Sequence, residues 1–170
     1  MKKILIAATL IFVVLIVNSF AQNQQKNGKI SEMIAGSQKI GGLLSGLLGD
    51  NLPSSGNVEM TNLSAVNFPN SVKVKFTGET RKISKSRKKV VDKWLKDYAK
   101  TPDAKKFYIN EIEVEENGVK YWLMAHENNV VAKLKSAAQK DTEIVLSAKI
   151  LGYSKKGTKT DYFLLADDLK

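Results

Sequence analysis

The chain of 170 residues contains no cysteine, which excludes disulfides, thiolate catalysis, cysteine zinc sites and a lipid-modified cysteine. Histidine occurs once, at His126, and arginine twice, at Arg81 and Arg87. A single histidine leaves serine chemistry one base to recruit, and no nucleophile-elbow sequence accompanies it; His126 reads as a helix-start or surface residue rather than a general base. No phosphate-cradling glycine loop, zinc spacing or calcium loop is present, so neither a cofactor nor a metal is implied. Long hydrophobic runs are also missing: the apolar stretch Ile4 to Val17 falls short of the ~20 residues that cross a bilayer.

That stretch follows Met1-Lys2-Lys3 and leads to Asn18-Ser19-Phe20-Ala21. A short basic start, a brief apolar centre and a small-x-small exit predict a signal peptide over residues 1–21, cleaved after Ala21. The competing reading is an uncleaved membrane anchor, for which the run is short. The sequence therefore predicts a periplasmic or secreted protein, and removing 21 of 170 residues leaves 149, enough for one ordinary domain and a tail.

Charge is one-sided. The chain carries 27 basic and 17 acidic residues; Lys2 and Lys3 leave with the leader, so 25 cations face 17 anions. Residues 22–70 balance to zero, Lys26, Lys29 and Lys39 against Glu32, Asp50 and Glu59, which puts the whole surplus in the last hundred residues. Such a surplus concentrates anionic partners around a protein, although lysine is a hydrated point charge without the planar fork of arginine. A merely soluble basic surface is the plainer reading.

Within residues 22–70, Ile30, Met33, Ile34, Ile40, Leu43, Leu44, Leu47 and Leu48 recur at helical spacing. Gly36, Gly41, Gly42, Gly46 and Gly49 interrupt them, each costing roughly 1 kcal/mol relative to alanine, so the segment needs a surface to pack on. It reads as a helix docked on the domain or as an apolar linker, with a membrane-surface or self-association element as the functional alternative. Weak membrane contact through 30–49 is the most its neutral, Trp-free face supports. Residues 51–57 form a turn-rich linker.

From Ser71 the pattern is regular. Val72, Val74 and Phe76 alternate with Lys73, Lys75 and Thr77, a half-buried strand with a basic outer face. Ile83, Val90, Val91, Trp94, Leu95 and Tyr98 predict a helix stopped by Thr101-Pro102. Phe107–Glu115 and Val119–Ala125 predict strands joined by Asn117-Gly118, a turn in which both central residues need positive φ. A helix capped by Asn128 or Asn129 buries Val130, Val131, Leu134, Ala137 and Ala138. A strand over 143–151, a loop over 152–159 with Gly157 at its tip, and a strand over 160–166 complete the chain.

This order, with Asn117-Gly118 in the middle hairpin and Ile150-Leu151-Gly152 running into a loop before Tyr162-Phe163-Leu164-Leu165, resembles the OB-fold over residues 71–168. The fold class expected is mainly β (α+β): a five-stranded OB-like barrel over 71–170, with an inserted helix after strand 1, a helix between strands 3 and 4, and an apolar Gly-rich helical segment in front. Another α+β meander is the rival. The extra helix departs from the minimal pattern.

The resemblance implies a ligand face across strands two and three, between the first and last connections. There the sequence places Arg81, Lys82, Lys85, Arg87, Lys88 and Lys89 in one connection and Lys155, Lys156 and Lys159 in the other, with Tyr121, Trp122 and Tyr153 as stacking aromatics. Alternation sends Tyr121 and Trp122 to opposite faces, so one lines the groove and the other joins the core. Against a nucleic acid stand Glu111, Glu113, Glu115 and Glu116, which would repel a phosphate chain unless cross-strand lysines pair them; as a cation cage they are poorly arranged.

Two functions of different class follow. The first is an exported non-enzymatic binding module using basic loops for an acidic ligand or partner: nucleic acid, anionic glycan or protein. The second is an envelope interaction or assembly protein docking through 30–49.

Overall fold

The structure, a computed structural model, describes residues 28–38, 58–59, 70–137, 139–156 and 159–170; for 58, 59, 70, 155, 156 and 159 it describes the backbone alone. Residues 1–27, 39–57, 60–69, 138, 157 and 158 lie outside the described residues, and with them the expected signal peptide, most of the Gly/Leu-rich segment, the linker and the loop tip at Gly157. The elements are a helix over 30–38 (α1), β1 (Val58–Glu59), β2 (Asn70–Lys82), α2 (Lys85–Asp97), a 3₁₀ turn (Pro102–Phe107), β3 (Asn110–Glu116) and β4 (Val119–Ala125). A π turn (Glu127–Val131) running into α3 (Ala132–Ala137), β5 (Thr142–Lys156) and β6 (Lys159–Leu169) follow. Among the described residues no helix is long and apolar enough to cross a membrane.

The protein is mainly β, and five of its strands close on themselves. β2 pairs antiparallel with β3, β3 with β4 and β5 with both β2 and β6, while β4 and β6 run parallel and join the ring through Leu123↔Leu164, Met124↔Leu165 and Ala125↔Ala166. The two-residue β1 lies on the edge of β5. The β3–β4 hairpin turns as its sequence requires, with Asn117 at φ 53° and Gly118 at φ 80°. Period-two alternation gives every strand an inward apolar row: Val72, Val74 and Phe76 from β2, Ile112 and Val114 from β3, Leu123 and Ala125 from β4.

Each end of this interior is closed by a helix. Val130, Val131 and Leu134, all at 1% exposure or less, fill one end. At the other end α1 inserts Ile30 and Met33, so the front of the Gly/Leu-rich segment packs on the domain. The helix is fixed at its start. The backbone N–H groups of Ile30 and Ser31 donate to Oε1 and Oε2 of Glu116 at 2.5 and 3.1 Å, and Gly28 bridges to β2 through Ser71 and Lys73.

A second apolar cluster lies outside the ring. α2 lays Val90, Val91, Trp94 and Leu95 over Met124, Leu151, Phe163 and Leu165, together with Tyr108. Its N-cap is Ser84, whose hydroxyl accepts from the Arg87 N–H.

Several expectations need correction. The first strand runs past Thr77 to Lys82, because Gly78 takes φ 88° and lets β2 bulge between Phe76 and Thr80 before pairing resumes with β3. Phe107 closes a 3₁₀ turn instead of opening a strand. His126, not Asn128 or Asn129, caps the second helix: its Nδ1 accepts from the Asn129 N–H at 3.3 Å. Ala137 is exposed. The expected loop over 152–159 is largely ribbon, since β5 continues to Lys156 and pairs with β6 down to Lys156↔Lys159.

Candidate functional site

The expected basic connection after the first strand is divided between two elements. Arg81 and Lys82 end β2, whereas Lys85, Arg87, Lys88 and Lys89 belong to α2. Arg87 sits on the inward side of that helix and is buried. Its Nε pairs with Glu111 Oε1, its Nη1 donates to Asp161 at 3.0 and 3.2 Å and to the Tyr162 carbonyl at 3.4 Å, and its Nη2 donates to the Trp122 carbonyl at 3.0 Å. Glu111 is fully buried, and its second oxygen accepts from Arg81 Nε at 2.8 Å. Arg87 is therefore a structural clamp, and Glu111, expected to repel a polyanion, is neutralised by two guanidinium groups.

The carbonyls that Arg87 takes mark a fork. β4 and β6 are paired only from Leu123 and Leu164 onward; before that point the strands diverge and Arg87 bridges the gap. The fork opens into a cleft of about 720 Å³, walled by Ser31, Ile34, Ala35 and Gln38 of α1 and by Ser84, Ser86 and Arg87 at the start of α2. Val119–Trp122, Thr160–Tyr162, Leu164 and Arg81 complete it. Tyr121 belongs to the interior, while Trp122 faces outward with the Arg81 guanidinium 3.8 Å from its ring centre, as alternation requires. Both line the cleft, because the fork cuts through the sheet and exposes both of its faces.

The remaining predicted residues lie elsewhere. Tyr153 is not in the cleft lining; its ring lies 6.3 Å from that of Tyr162. Lys155, Lys156 and Lys159 occupy the far end of the β5–β6 ribbon, where the backbone alone is described. Lys88 is engaged, with Asp92 and the Lys105 carbonyl both at 2.7 Å. Lys82, Lys85 and Lys89 are exposed, and so are Lys93 and Lys96, which sequence reasoning did not single out. Lys85, Lys89, Lys93 and Lys96 fall within an arc of about 80° on α2, opposite its buried face, in a row roughly 16 Å long. Helical spacing was the signal that could have found them. Among the described residues none of these four has an ion-pair partner. By contrast the basic outer face of β2 is paired, Lys73 with Glu143 at 2.5 Å and Lys75 with Asp141 at 3.1 Å.

Two further carboxylates of β3, Glu113 and Glu116, are also occupied. Lys120 donates to Glu113 at 2.9 Å, which holds the Glu113 carboxyl below its ordinary value and raises Lys120. Glu116 caps α1. Beneath α2, burial pushes the Tyr108 phenol far up, and Asp167, which accepts its hydroxyl at 2.7 Å, adds to the effect; Lys149 pairs with the same carboxylate. His126 stacks on Phe107 at 4.8 Å, and burial lowers its pKa against the opposing pull of Asp167, Asp168 and Glu127. Among the described residues no three His, Asp or Glu side chains form a group able to hold a metal.

No family model, curated protein or solved structure matches the chain.

Proposed function

We propose that the chain is an exported, non-enzymatic binding module with an OB-like barrel, and that it holds an acidic partner on the excursion over residues 82–107. The strand circuit supports the barrel reading. β6 lies between β4 and β5, parallel to β4, and the helical stretch between β4 and β5 closes one end. The leader-like start supports export.

One observation carries the partner class. The excursion holds ten cations against three anions, a surplus of seven, while residues 22–170 as a whole carry a surplus of eight. Almost all the unbalanced charge is thus gathered on α2 and its flanks, and the row Lys85, Lys89, Lys93 and Lys96 points it away from the domain. Of the four carboxylates that argued against a polyanion, Glu111, Glu113 and Glu116 are engaged internally, which leaves Glu115. A row of compact ammonium groups without an interleaved exposed aromatic favours backbone charge over base stacking, so nucleic acid, anionic glycan and acidic protein share the chemistry required.

The test is retention on immobilised heparin and on single-stranded DNA across a salt gradient. Replacing Lys85, Lys89, Lys93 and Lys96 by alanine leaves every described ion pair intact and moves elution to markedly lower salt. Unchanged elution overturns the reading. Arg87 and Lys88 are unsuitable for this test because their loss acts on the fold. Docking through 30–49 is less well supported: residues 30–38 are used within the domain itself, through Ile30 and Met33.

A further inference from the structure

The fork between β4 and β6 presents a feature independent of the lysine row. β4 pairs with β3 along its full length, but its other edge is free of strand partners over Val119–Trp122 among the described residues. β6 is paired with β5 over Thr160–Phe163 and likewise lacks a partner on its β4 side. Arg87 donates to the Trp122 and Tyr162 carbonyls, which shows that both residues turn their backbone groups toward the gap. Backbone direction alternates along a strand, so the N–H of Trp122 and both backbone groups of Lys120 face it too. Two strand edges therefore confront each other across a cleft whose volume, about 720 Å³, suits a short ligand segment.

The walls differ by face. On the interior side the cleft offers Tyr121, Tyr162, Leu164 and Ile34. On the outer side it offers Lys120 and Arg81, whose side chains are 58% and 49% exposed while their carboxylate partners Glu113 and Glu111 are 10% and 0% exposed. Asp161 stands on the opposite wall, held by Arg87. Counting all six groups, three cations meet three carboxylates, which disfavours a polyanion and suits a neutral main chain carrying a few acids.

We infer that the fork is a strand-addition site for an extended peptide alternating apolar and acidic residues. Main-chain hydrogen bonds to β4 supply affinity, and the alternation supplies selectivity: apolar side chains enter beside Tyr121 and Tyr162, and acidic ones meet Lys120 and Arg81. β3 already shows what the closed edge of β4 accepts, because Glu113 lies opposite Trp122, Glu115 opposite Lys120, and Val114 opposite Tyr121.

The sequence of β3 is accordingly the probe: acetylated, amidated Asn-Glu-Ile-Glu-Val-Glu-Glu, titrated calorimetrically into the full chain with hydrogen exchange followed at each amide. The expected result is binding with slowed exchange at Lys120 and Trp122. A peptide with every glutamate replaced by lysine binds at least tenfold more weakly. Ala35→Trp, at an exposed position of α1 facing the cleft, weakens the probe at least tenfold while the amide spectrum stays folded. The fourfold lysine-to-alanine variant of α2 binds it unchanged, which separates this site from the polyanion surface. Equal binding by the A35W variant, equal binding of the lysine peptide, protection confined to α2, or no binding of the probe overturns the inference.

Discussion

The two ends of the closed sheet are built on opposite terms. At the end covered by Val130, Val131 and Leu134, apolar side chains meet strands that are hydrogen-bonded on both sides, and the seam between β4 and β6 is complete. At the end covered by α1, that seam is open, and a buried guanidinium substitutes for the missing strand pairs. The first end is held by packing, which is tolerant of small changes. The second depends on a charge network that loses most of its value if one member is removed.

Removing a member of that network is the largest perturbation. Arg87→Met leaves Glu111 buried with Arg81 alone and lowers stability by about 3–5 kcal/mol in denaturant unfolding, whereas Arg87→Met combined with Glu111→Leu recovers most of the loss. Equal losses in the single and double variants would show that burial, not unpaired charge, governs the open end. Leu134→Ala tests the packed end and costs about 2–4 kcal/mol through the cavity it leaves. Glu116→Ala removes the two carboxylate oxygens that accept from the Ile30 and Ser31 N–H groups at the start of α1 and costs about 1–2 kcal/mol, with exchange accelerated in α1 and unaltered in α3.

The smallest effect is a pH response at the packed end. Burial lowers the His126 pKa below its ordinary 6.5, so the folded chain binds this proton less readily than the unfolded chain. Stability is therefore full above pH 6.5 and declines as pH falls through the window below it. His126→Asn keeps a side chain able to cap the π turn and flattens that slope. An unchanged slope between pH 7 and 5 would assign the response to other groups.

What sequence reading recovered and missed follows the same division. Strands with clean alternation, the Asn117-Gly118 turn and the apolar face of α2 are encoded within a few neighbouring residues, so local pattern sufficed. Arg87 and Glu111 are separated by a helix and a 3₁₀ turn, and nothing local states that two charges so placed will be buried together. The inward position of Arg87 on α2 was not legible for that reason. His126 displaced the asparagines as a cap because its ring is wedged between Phe107 and Tyr108, a tertiary contact. Gly152 suggested a loop, yet β5 absorbs it at a register shift and continues. The cleft itself was invisible, since it arises where two strands part rather than from any motif.

β6 forms two seams of the ring, one with β4 and one with β5, and it follows the other four ring strands in sequence. Ring closure must therefore wait until β6 has been synthesised and delivered. Until then β4 has a raw border along its whole length and the hydrophobic lumen stands unsealed. A chain stopped before Leu164 would lack the β4–β6 seam and remain an unclosed curl.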